Sequence, residues 1–222
     1  MERLIIAVDG PSGAGKSSVT SLLAKKLSII QLNTGALYRA VGLYCLNNNI
    51  DPKNEDLVCE NIKNINISIK YNAGKQVTIL NGKDVSNDLY SPRVADACSI
   101  TSQYKKIREL ILTIQRKSAN DQNMIVEGRD IGSVVLPNAT FKFYIDASPE
   151  IRAKRRINDE KNVNDNLDYE TVLKDIIERD RRDMTREISP LIKPKDAIYV
   201  NTDNMNIDQV VDYMYNVIKG NK

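Results

Sequence analysis

The sequence predicts an α/β fold in which a five-stranded parallel sheet is flanked by helices. Short apolar runs alternate with helical repeats along the 222 residues, a pattern typical of βαβ units. The first apolar run, residues 4–8, leads directly into the glycine-rich stretch at residues 10–18. A change to strand-like alternation at residues 66–85 interrupts the pattern, and it predicts a small antiparallel sheet inserted at the edge of the main domain.

The predicted parallel strands are short and apolar, as expected for strands covered on both faces. They comprise residues 4–8, 28–33, 124–127, 140–145 and 197–201. Helices are predicted where apolar residues recur every three or four positions. They comprise residues 16–27, a helix with Thr34 as its N-cap, residues 56–65, a helix that begins at Ser91-Pro92, residues 105–118, a helix that begins at Ser148-Pro149, and residues 168–186 and 207–218.

Two regions depart from this alternation. The predicted antiparallel sheet contains Asn81-Gly82, a dipeptide that favours a hairpin. Residues 151–166 lose their apolar periodicity and become charged, which indicates a mobile flap. Because no repeat or flexible linker divides the chain, we expect a single domain over residues 1–222. Within it we expect a monophosphate-binding insertion at about residues 36–100 and a lid at about residues 152–168.

The stretch GPSGAGKSS at residues 10–18 matches the pattern G-x-x-x-x-G-K-[ST] between a strand and a helix. Glycines let the backbone N–H groups of such a loop turn towards phosphate oxygens, since no Cβ blocks a positive φ. Lys16 would lie at the β and γ phosphates, and the Ser17 hydroxyl would bind Mg²⁺. The residues expected to bind ATP here are Gly10, Pro11, Ser12, Gly13, Ala14, Gly15, Lys16, Ser17 and Ser18. An ordinary glycine-rich turn would explain the glycines but not the Lys-Ser pair.

The composition indicates a soluble cytoplasmic enzyme. Hydrophobic residues make up 41% and charged residues 27% of the chain, and no apolar stretch approaches the ~20 residues of a membrane span. A net charge of +3 is too small to indicate a nucleic-acid polymer as partner. The sequence contains no histidine, which excludes Ser-His and Cys-His nucleophile arrangements.

Charged residues follow the ends of several predicted strands. Asp9 follows the first strand, Arg39 the second, and Arg129 with Asp130 the third. An arginine cluster at residues 152–156 comes soon after the fourth strand. The proposed fold would bring these positions to one edge of the sheet. Arginine is suited to phosphate because its planar fork donates two hydrogen bonds and stays charged.

A second arginine group lies in the helix predicted over residues 168–186. Arg179, Arg182, Asp183 and Arg186 have the spacing of a single helix face. The alternative is a solvated face stabilised by ion pairs between neighbouring turns. The spacing alone leaves both interpretations open.

Four stretches of the sequence together identify a resemblance. They are DGPSGAGKSS at residues 9–18, NTGALYR at 33–39, EGRDIGSVVLPNA at 127–139 and ERDRRDMTR at 178–186, the last followed by SPL at 189–191. In this order they resemble the bacterial cytidylate kinases, which are P-loop kinases that act on nucleoside monophosphates. The resemblance covers essentially the whole chain and also fits the inserted sheet. It implies a monomer that transfers the γ-phosphoryl group of ATP to CMP or dCMP.

The resemblance also implies roles for individual residues. The residues implied to bind CMP are Thr34, Arg39, Ser99, Arg108, Arg129, Asp130, Asp183 and Arg186. Those implied to act in phosphoryl transfer are Lys16, Arg129, Arg179, Arg182 and Arg186. Ser99, Arg108 and Asp130 would contact the base, since a carboxylate accepts a hydrogen bond from the exocyclic amine of cytosine. Arg152 and Arg156 resemble lid arginines that close over ATP.

The implied reaction needs no general base. The acceptor is an anionic phosphate oxygen, so in-line transfer requires only positioning and charge neutralisation from the protein. Mg²⁺ would be bound through Ser17, with Asp9 and Glu127 as candidates for contacts through water. Asn33 and Thr34 depart from the family pattern, in which aspartate and serine are more common at these positions.

Three alternatives stay open on the sequence. A nucleotide switch would share the phosphate loop, although the chain lacks the N-K-x-D element that usually selects guanine. A shikimate-type kinase would need a carboxylate near its alcohol acceptor, and Asp130 could serve as that base. A kinase for UMP or AMP depends on whether the three implied base-contacting side chains face the base.

Overall fold

The computed structural model describes residues 3–120, 122–160 and 168–220. The strands are β1 (Ile5–Asp9), β2 (Ile30–Asn33), β3 (Ile67–Asn72), β4 (Lys75–Leu80), β5 (Lys83–Asp84), β6 (Met124–Glu127), β7 (Phe141–Asp146) and β8 (Ile198–Asn201). The helices are α1 (Lys16–Leu27), α2 (Thr34–Asn47), α3 (Glu55–Glu60), α4 (Pro92–Thr101), α5 (Lys105–Ala119), α6 (Pro149–Glu160), α7 (Tyr169–Thr185) and α8 (Ile207–Ile218). The chain divides into unit 1, Met1–Ile29 with Met124–Lys222, and unit 2, Ile30–Asn123.

The main sheet has five strands in the order β2-β6-β1-β7-β8, which confirms the predicted parallel sheet. Within unit 1, β1 pairs in parallel with both β6 and β7, and β8 pairs in parallel with β7. The core of unit 1 joins this sheet to α1 and α8 through fully buried side chains such as Ile6, Leu23, Phe143 and Met214. Burial on both faces explains why these strands read as continuous apolar runs.

Unit 2 contains the predicted antiparallel sheet, with the order β3-β4-β5. Two tight turns connect its strands, and in each turn both central residues have positive φ. They are Ala73 and Gly74 at 49° and 77°, and Asn81 and Gly82 at 49° and 85°. This backbone geometry matches the twist of the flanking strands, so the hairpin predicted at Asn81-Gly82 is confirmed.

Helices α2 and α4 pack very closely in unit 2. A Cβ atom built on Gly42 would lie 2.8 Å from the backbone nitrogen of Cys98 and 3.2 Å from the Cβ of Ala97. Glycine is therefore required at this point of α2, even though it disfavours a helix. Around this contact the core is formed by side chains such as Leu37, Val41 and Ile107.

Two predicted helix boundaries were wrong. The N-cap of α2 is Asn33, whose side chain accepts a hydrogen bond of 3.1 Å from the Ala36 N–H, and Thr34 is the first helical residue. Asn33 has an extended backbone that suits an N-cap, whereas Thr34 does not. The helix predicted over residues 56–65 is divided into α3 and a 3₁₀ turn, Asn61–Asn64. The Asn61 side chain donates to the Leu57 carbonyl where the two meet.

The first part of the predicted lid is helical. Helix α6 continues to Glu160, although this stretch lacks an apolar repeat. Ala153 is fully buried against Val172 and Ile176 of α7, and this contact stabilises a helix whose sequence pattern is weak. Residues 161–167 of the predicted lid lie outside the described residues.

In the described ranges, no helix combines the length and apolar character needed to cross a bilayer.

The close contact at Gly42 predicts that Gly42→Ala will destabilise the protein by about 1–3 kcal/mol, because overpacking outweighs the gain in helix propensity. Urea unfolding followed by circular dichroism measures the change. Asn47→Ala on the exposed face of the same helix is the control, and we expect it to leave stability unchanged or slightly raised. A stabilised Gly42→Ala protein would contradict the packing described here.

Candidate functional site

The phosphate loop follows β1 in unit 1 and leads into α1. At Gly10 φ is 145°, and a Cβ there would lie only 1.9 Å from the carbonyl oxygen of Ile145, so no other residue fits. Gly15 is the N-cap of α1 with φ 85°, and it offers no side chain to the first N–H groups of the helix. These N–H groups and the helix dipole favour an anion at this end of α1.

Lys16 lies folded against the loop that precedes it. Its Nζ donates hydrogen bonds of 2.7 Å to the Gly10 carbonyl and 2.6 Å to the Pro11 carbonyl. Burial and the neighbouring charge of Arg129 lower the pKa of Lys16, while the Glu127 and Asp9 carboxylates oppose this shift. A phosphate group would supply the negative charge that compensates this buried ammonium group.

Glu127 is the last residue of β6, and its side chain faces the start of α1. Its Oε2 accepts a hydrogen bond of 3.3 Å from the Thr20 hydroxyl, and Ser17 also bonds to this carboxylate. Burial raises the pKa of Glu127, against the effect of Lys16. The Ser17 hydroxyl and the Glu127 carboxylate are hard oxygen ligands, so their chemistry fits Mg²⁺. In the parts of the chain that the structure describes, no three acidic, Cys or His side chains cluster to hold a metal unaided.

Asp9 joins the start of the phosphate loop to the turn that follows β6. Its two carboxylate oxygens accept hydrogen bonds from the backbone N–H groups of Ile131, at 2.8 Å, and Gly132, at 2.7 Å. These residues begin a π-helical turn, Ile131–Val135. Burial raises the pKa of Asp9 to about 6, although the two N–H donors favour the ionised form. With both oxygens engaged by the turn, Asp9 suits Mg²⁺ less well than Glu127 does.

Four of the residues implied to bind CMP form one group in unit 1. The Arg129 Nε donates a hydrogen bond of 2.9 Å to Asp183 Oδ2. Arg186 lies 3.8 Å from Asp183 Oδ1 and 4.0 Å from Asp130 Oδ1, and its Nε donates to the Ser189 carbonyl at 2.7 Å. Burial raises the pKa of Asp183, but the nearby arginines outweigh it and hold the pKa below its usual value.

The remaining predicted arginines of unit 1 lie on α6 and α7. Arg179 contributes to the lowered pKa of Asp183, and Arg182 is half-buried one turn from Arg186. Arg156 is half-buried on α6. Arg152 is almost fully buried, and both nitrogens of its fork contact Asp180 of α7. Asp180 lies in the stretch ERDRRDMTR, but no role was assigned to it from the sequence. Its position between two arginines was the signal that could have indicated one.

The other predicted acceptor residues lie in unit 2. The Arg39 guanidinium stacks over the Tyr90 ring at 5.0 Å, and the Arg108 guanidinium lies 5.4 Å from the Tyr38 ring. Arg108 also donates a hydrogen bond of 3.0 Å to the Ser102 carbonyl. The Ser99 hydroxyl is buried and has no hydrogen-bond partner among the described residues. Neither tyrosine was identified from the sequence, because its contact with arginine depends on the fold.

The raised pKa of Asp9 predicts a pH-dependent stability. The folded state binds this proton more tightly than the unfolded chain, so the contribution of protonated Asp9 is lost as the pH rises through about 6. Between pH 5 and pH 7.5, the protein should lose about 1 kcal/mol of unfolding free energy relative to the Asp9→Asn variant. Urea unfolding at both pH values measures this difference.

Asp212→Asn is the control for this experiment, because Asp212 is an exposed carboxylate paired with Lys26 in unit 1. We expect the control protein to keep the pH dependence of the parent. A parent and an Asp9→Asn protein with parallel pH profiles would contradict the raised pKa of Asp9.

The cytidylate kinase family model matches residues 6–220 of the chain. A cytidylate kinase of Clostridium botulinum (strain Okra / Type B1) is 42% identical over 214 residues, which are 96% of this chain and 97% of the relative. A cytidylate kinase of Caldicellulosiruptor saccharolyticus is 43% identical over 211 residues, 95% of this chain and 93% of the relative.

Solved structures of lower identity share the fold. An uncharacterized protein from Eubacterium ventriosum has a TM-score of 0.54 at 15% identity and covers 98% of this chain and 99% of its own. Shikimate kinase from Bacteroides thetaiotaomicron has a TM-score of 0.50 at 12% identity, with coverage of 97% and 98%. The resemblance seen in the four sequence stretches is thereby confirmed: the chain belongs to the cytidylate kinase family.

Proposed function

We propose that this chain, as a member of the cytidylate kinase family, phosphorylates dCMP as well as CMP by in-line transfer from ATP. Family membership makes it a transferase that phosphorylates CMP with ATP. The observation that carries the mechanism is in unit 1. A phosphate loop with a buried lysine occurs there together with the group formed by Arg129, Asp130, Asp183 and Arg186.

On the donor side, the loop N–H groups and Lys16 bind the phosphates of ATP. The Lys16 ammonium would exchange its contacts with the Gly10 and Pro11 carbonyls for phosphate oxygens, a short movement for a flexible side chain. Ser17 and Glu127 would hold Mg²⁺, directly and through water. When bound, Mg²⁺ supplies positive charge to the β and γ phosphates. Arg156 would contact ATP from α6.

On the acceptor side, Arg129 and Arg186 bind the phosphate of CMP from unit 1, and Asp183 contacts the sugar hydroxyls. Both arginines are already oriented by carboxylates, so they lose little side-chain freedom when the phosphate binds. Arg39 and Thr34 are also proposed to bind the phosphate of CMP. Arg179 and Arg182 neutralise charge in the transition state.

The base is recognised by Ser99, Arg108 and Asp130 in this proposal. The buried Ser99 hydroxyl has no partner among the described residues, which supports a hydrogen bond to a ligand. The Asp130 carboxylate accepts from the exocyclic amine of cytosine, whereas the carbonyl of uracil would repel it. Ribose and deoxyribose share the 3′-hydroxyl, so Asp183 can contact either sugar and we expect dCMP to be a substrate.

The alternatives considered from the sequence are less well supported. The family match extends over residues 6–220 and favours CMP over UMP, over a shikimate-type alcohol and over a non-catalytic switch. Likeness to a shikimate kinase structure at 12% identity shows the fold alone. A cytoplasmic monomer without nucleic-acid or membrane partners stays a prediction from the sequence.

The proposed function predicts ADP release that depends on ATP, Mg²⁺ and a cytosine nucleotide. A coupled assay compares CMP, dCMP, UMP, AMP and shikimate as acceptors, with a control that contains no acceptor. We expect turnover with CMP and dCMP, and turnover at least about tenfold lower with UMP because one charged contact is lost. Turnover with shikimate alone, or without any acceptor, would contradict the proposal.

A second prediction concerns base recognition. Asp130→Ala should raise the KM for CMP by about 10–100-fold and leave the KM for ATP within about twofold, because the lost hydrogen bond belongs to the acceptor. Steady-state kinetics with each substrate varied in turn measures both constants, and Asp212→Asn controls for loss of an acidic residue in unit 1. An equal fall in kcat/KM with CMP and with UMP would contradict a role for Asp130 in base recognition.

A further inference from the structure

We propose that Arg152 and Asp180 form a buried strut that positions the phosphate loop, so that Arg152 acts on ATP through the loop rather than by touching it. Arg152 lies on α6 and Asp180 on α7, both in unit 1. The inference rests on the proposed function only in taking ATP as the ligand of the loop. It gives Asp180 a role and changes the role that the sequence suggested for Arg152.

Four of the five N–H donors of Arg152 are engaged within the protein. Its two terminal nitrogens donate to the two carboxylate oxygens of Asp180, at 3.0 Å and 2.5 Å. Its Nε donates to the Ala147 carbonyl at 2.8 Å, and its Nη1 also donates to the Ser12 carbonyl at 3.1 Å. Turning the guanidinium group towards ATP would break these bonds. The guanidinium group therefore joins α7, the end of β7 and the phosphate loop.

The aliphatic part of Arg152 lies beside the next residue of the same loop. A Cβ built on Gly13 would lie 3.3 Å from the Cβ of Arg152 and 3.7 Å from its Cγ. Arg152 thus bonds to Ser12 through its charged head, and its aliphatic part occupies the space that a side chain on Gly13 would need. A residue larger than glycine at position 13 would be crowded by Arg152.

The bond to Ser12 also orients the loop. The Ser12 carbonyl and the Gly13 N–H belong to one planar trans peptide, so they point in opposite directions. Holding the carbonyl on Arg152 turns the Gly13 N–H away from Arg152. A loop peptide in the reverse orientation would present a carbonyl oxygen where an N–H donor is needed, and that oxygen would repel phosphate.

Asp180 is required because the guanidinium group is buried. Arg152 is 2% exposed and Asp180 is 8% exposed. Without the carboxylate, Arg152 would be a buried and uncompensated charge, and it would move towards water or draw the loop with it. The packing of Ala153 against Val172 and Ile176 keeps α6 and α7 in place around the pair. Asp180 is therefore a positioning residue: it does not touch the nucleotide and acts on it through Arg152 and the phosphate loop.

Asp180→Asn is the main test, because it removes the charge and keeps the shape of the side chain. We expect the KM for ATP to rise about tenfold and the KM for CMP to stay within about twofold, since the loop belongs to the donor side. Asp212→Asn is the matched control, an exposed partner of Lys26 in the same unit, and it should match the parent in both constants. Asp180→Glu should recover part of the lost ATP affinity.

Hydrogen exchange of the ligand-free protein gives a readout that is independent of activity. In Asp180→Asn, backbone N–H groups in the phosphate loop should exchange faster than in the parent, while those of β6 and β7 should not change. An inactive parent would contradict the proposed function and leave this comparison valid. If loop exchange and the KM for ATP were both unchanged, the proposal that Arg152 and Asp180 position the loop would be overturned, even if the melting temperature fell.

Arg152→Lys keeps the test informative if Asp180→Asn does not fold. A lysine ammonium retains the charge opposite Asp180 but lacks the planar fork that reaches Asp180, Ala147 and Ser12 together. We expect the same selective rise in the KM for ATP and the same faster exchange in the loop. Equal rises in the KM values for ATP and CMP, or no rise in either, would overturn the proposal.

Discussion

Asp9 fixes the connection on which the site in unit 1 depends. It stands at the boundary between β1 and the phosphate loop, and its carboxylate binds two successive backbone N–H groups of the turn after β6. Arg129 and Asp130 come directly before that turn. One buried carboxylate thus links the loop for the donor phosphates to the residues proposed to bind the acceptor. A shift of either segment would take the buried N–H groups of Ile131 and Gly132 away from their acceptor, at a cost of about 1–3 kcal/mol for each unsatisfied group.

Charge compensation is the second organising feature of unit 1. Arg129 pairs with Asp183 and Arg152 pairs with Asp180, whereas Lys16 donates to the neutral carbonyls of Gly10 and Pro11. A phosphate ligand can take over some of these contacts, because its oxygens accept the same donors. Side chains that are already held in place lose little conformational entropy on binding.

The chemistry proposed for this chain agrees with what its composition lacks. Phosphoryl transfer to an anionic phosphate oxygen needs positioning and charge neutralisation, and neither depends on histidine. The same fold occurs in a shikimate kinase, whose acceptor differs. A shared fold does not set the acceptor, and we propose that side chains such as Asp130 select it in this chain.

The sequence by itself determined the phosphate loop, the five parallel strands, the inserted hairpin and the family, because each depends on a local pattern of residues. The tertiary structure decided what depends on distant partners. Asp9 bonds to a turn 122 residues away, and Asp180 lies 28 residues from Arg152. Packing of Ala153 against α7 extends α6 through a stretch without apolar periodicity. Local patterns record backbone preference and burial, whereas the pairing of buried charges follows only from the arrangement of helices and strands in space.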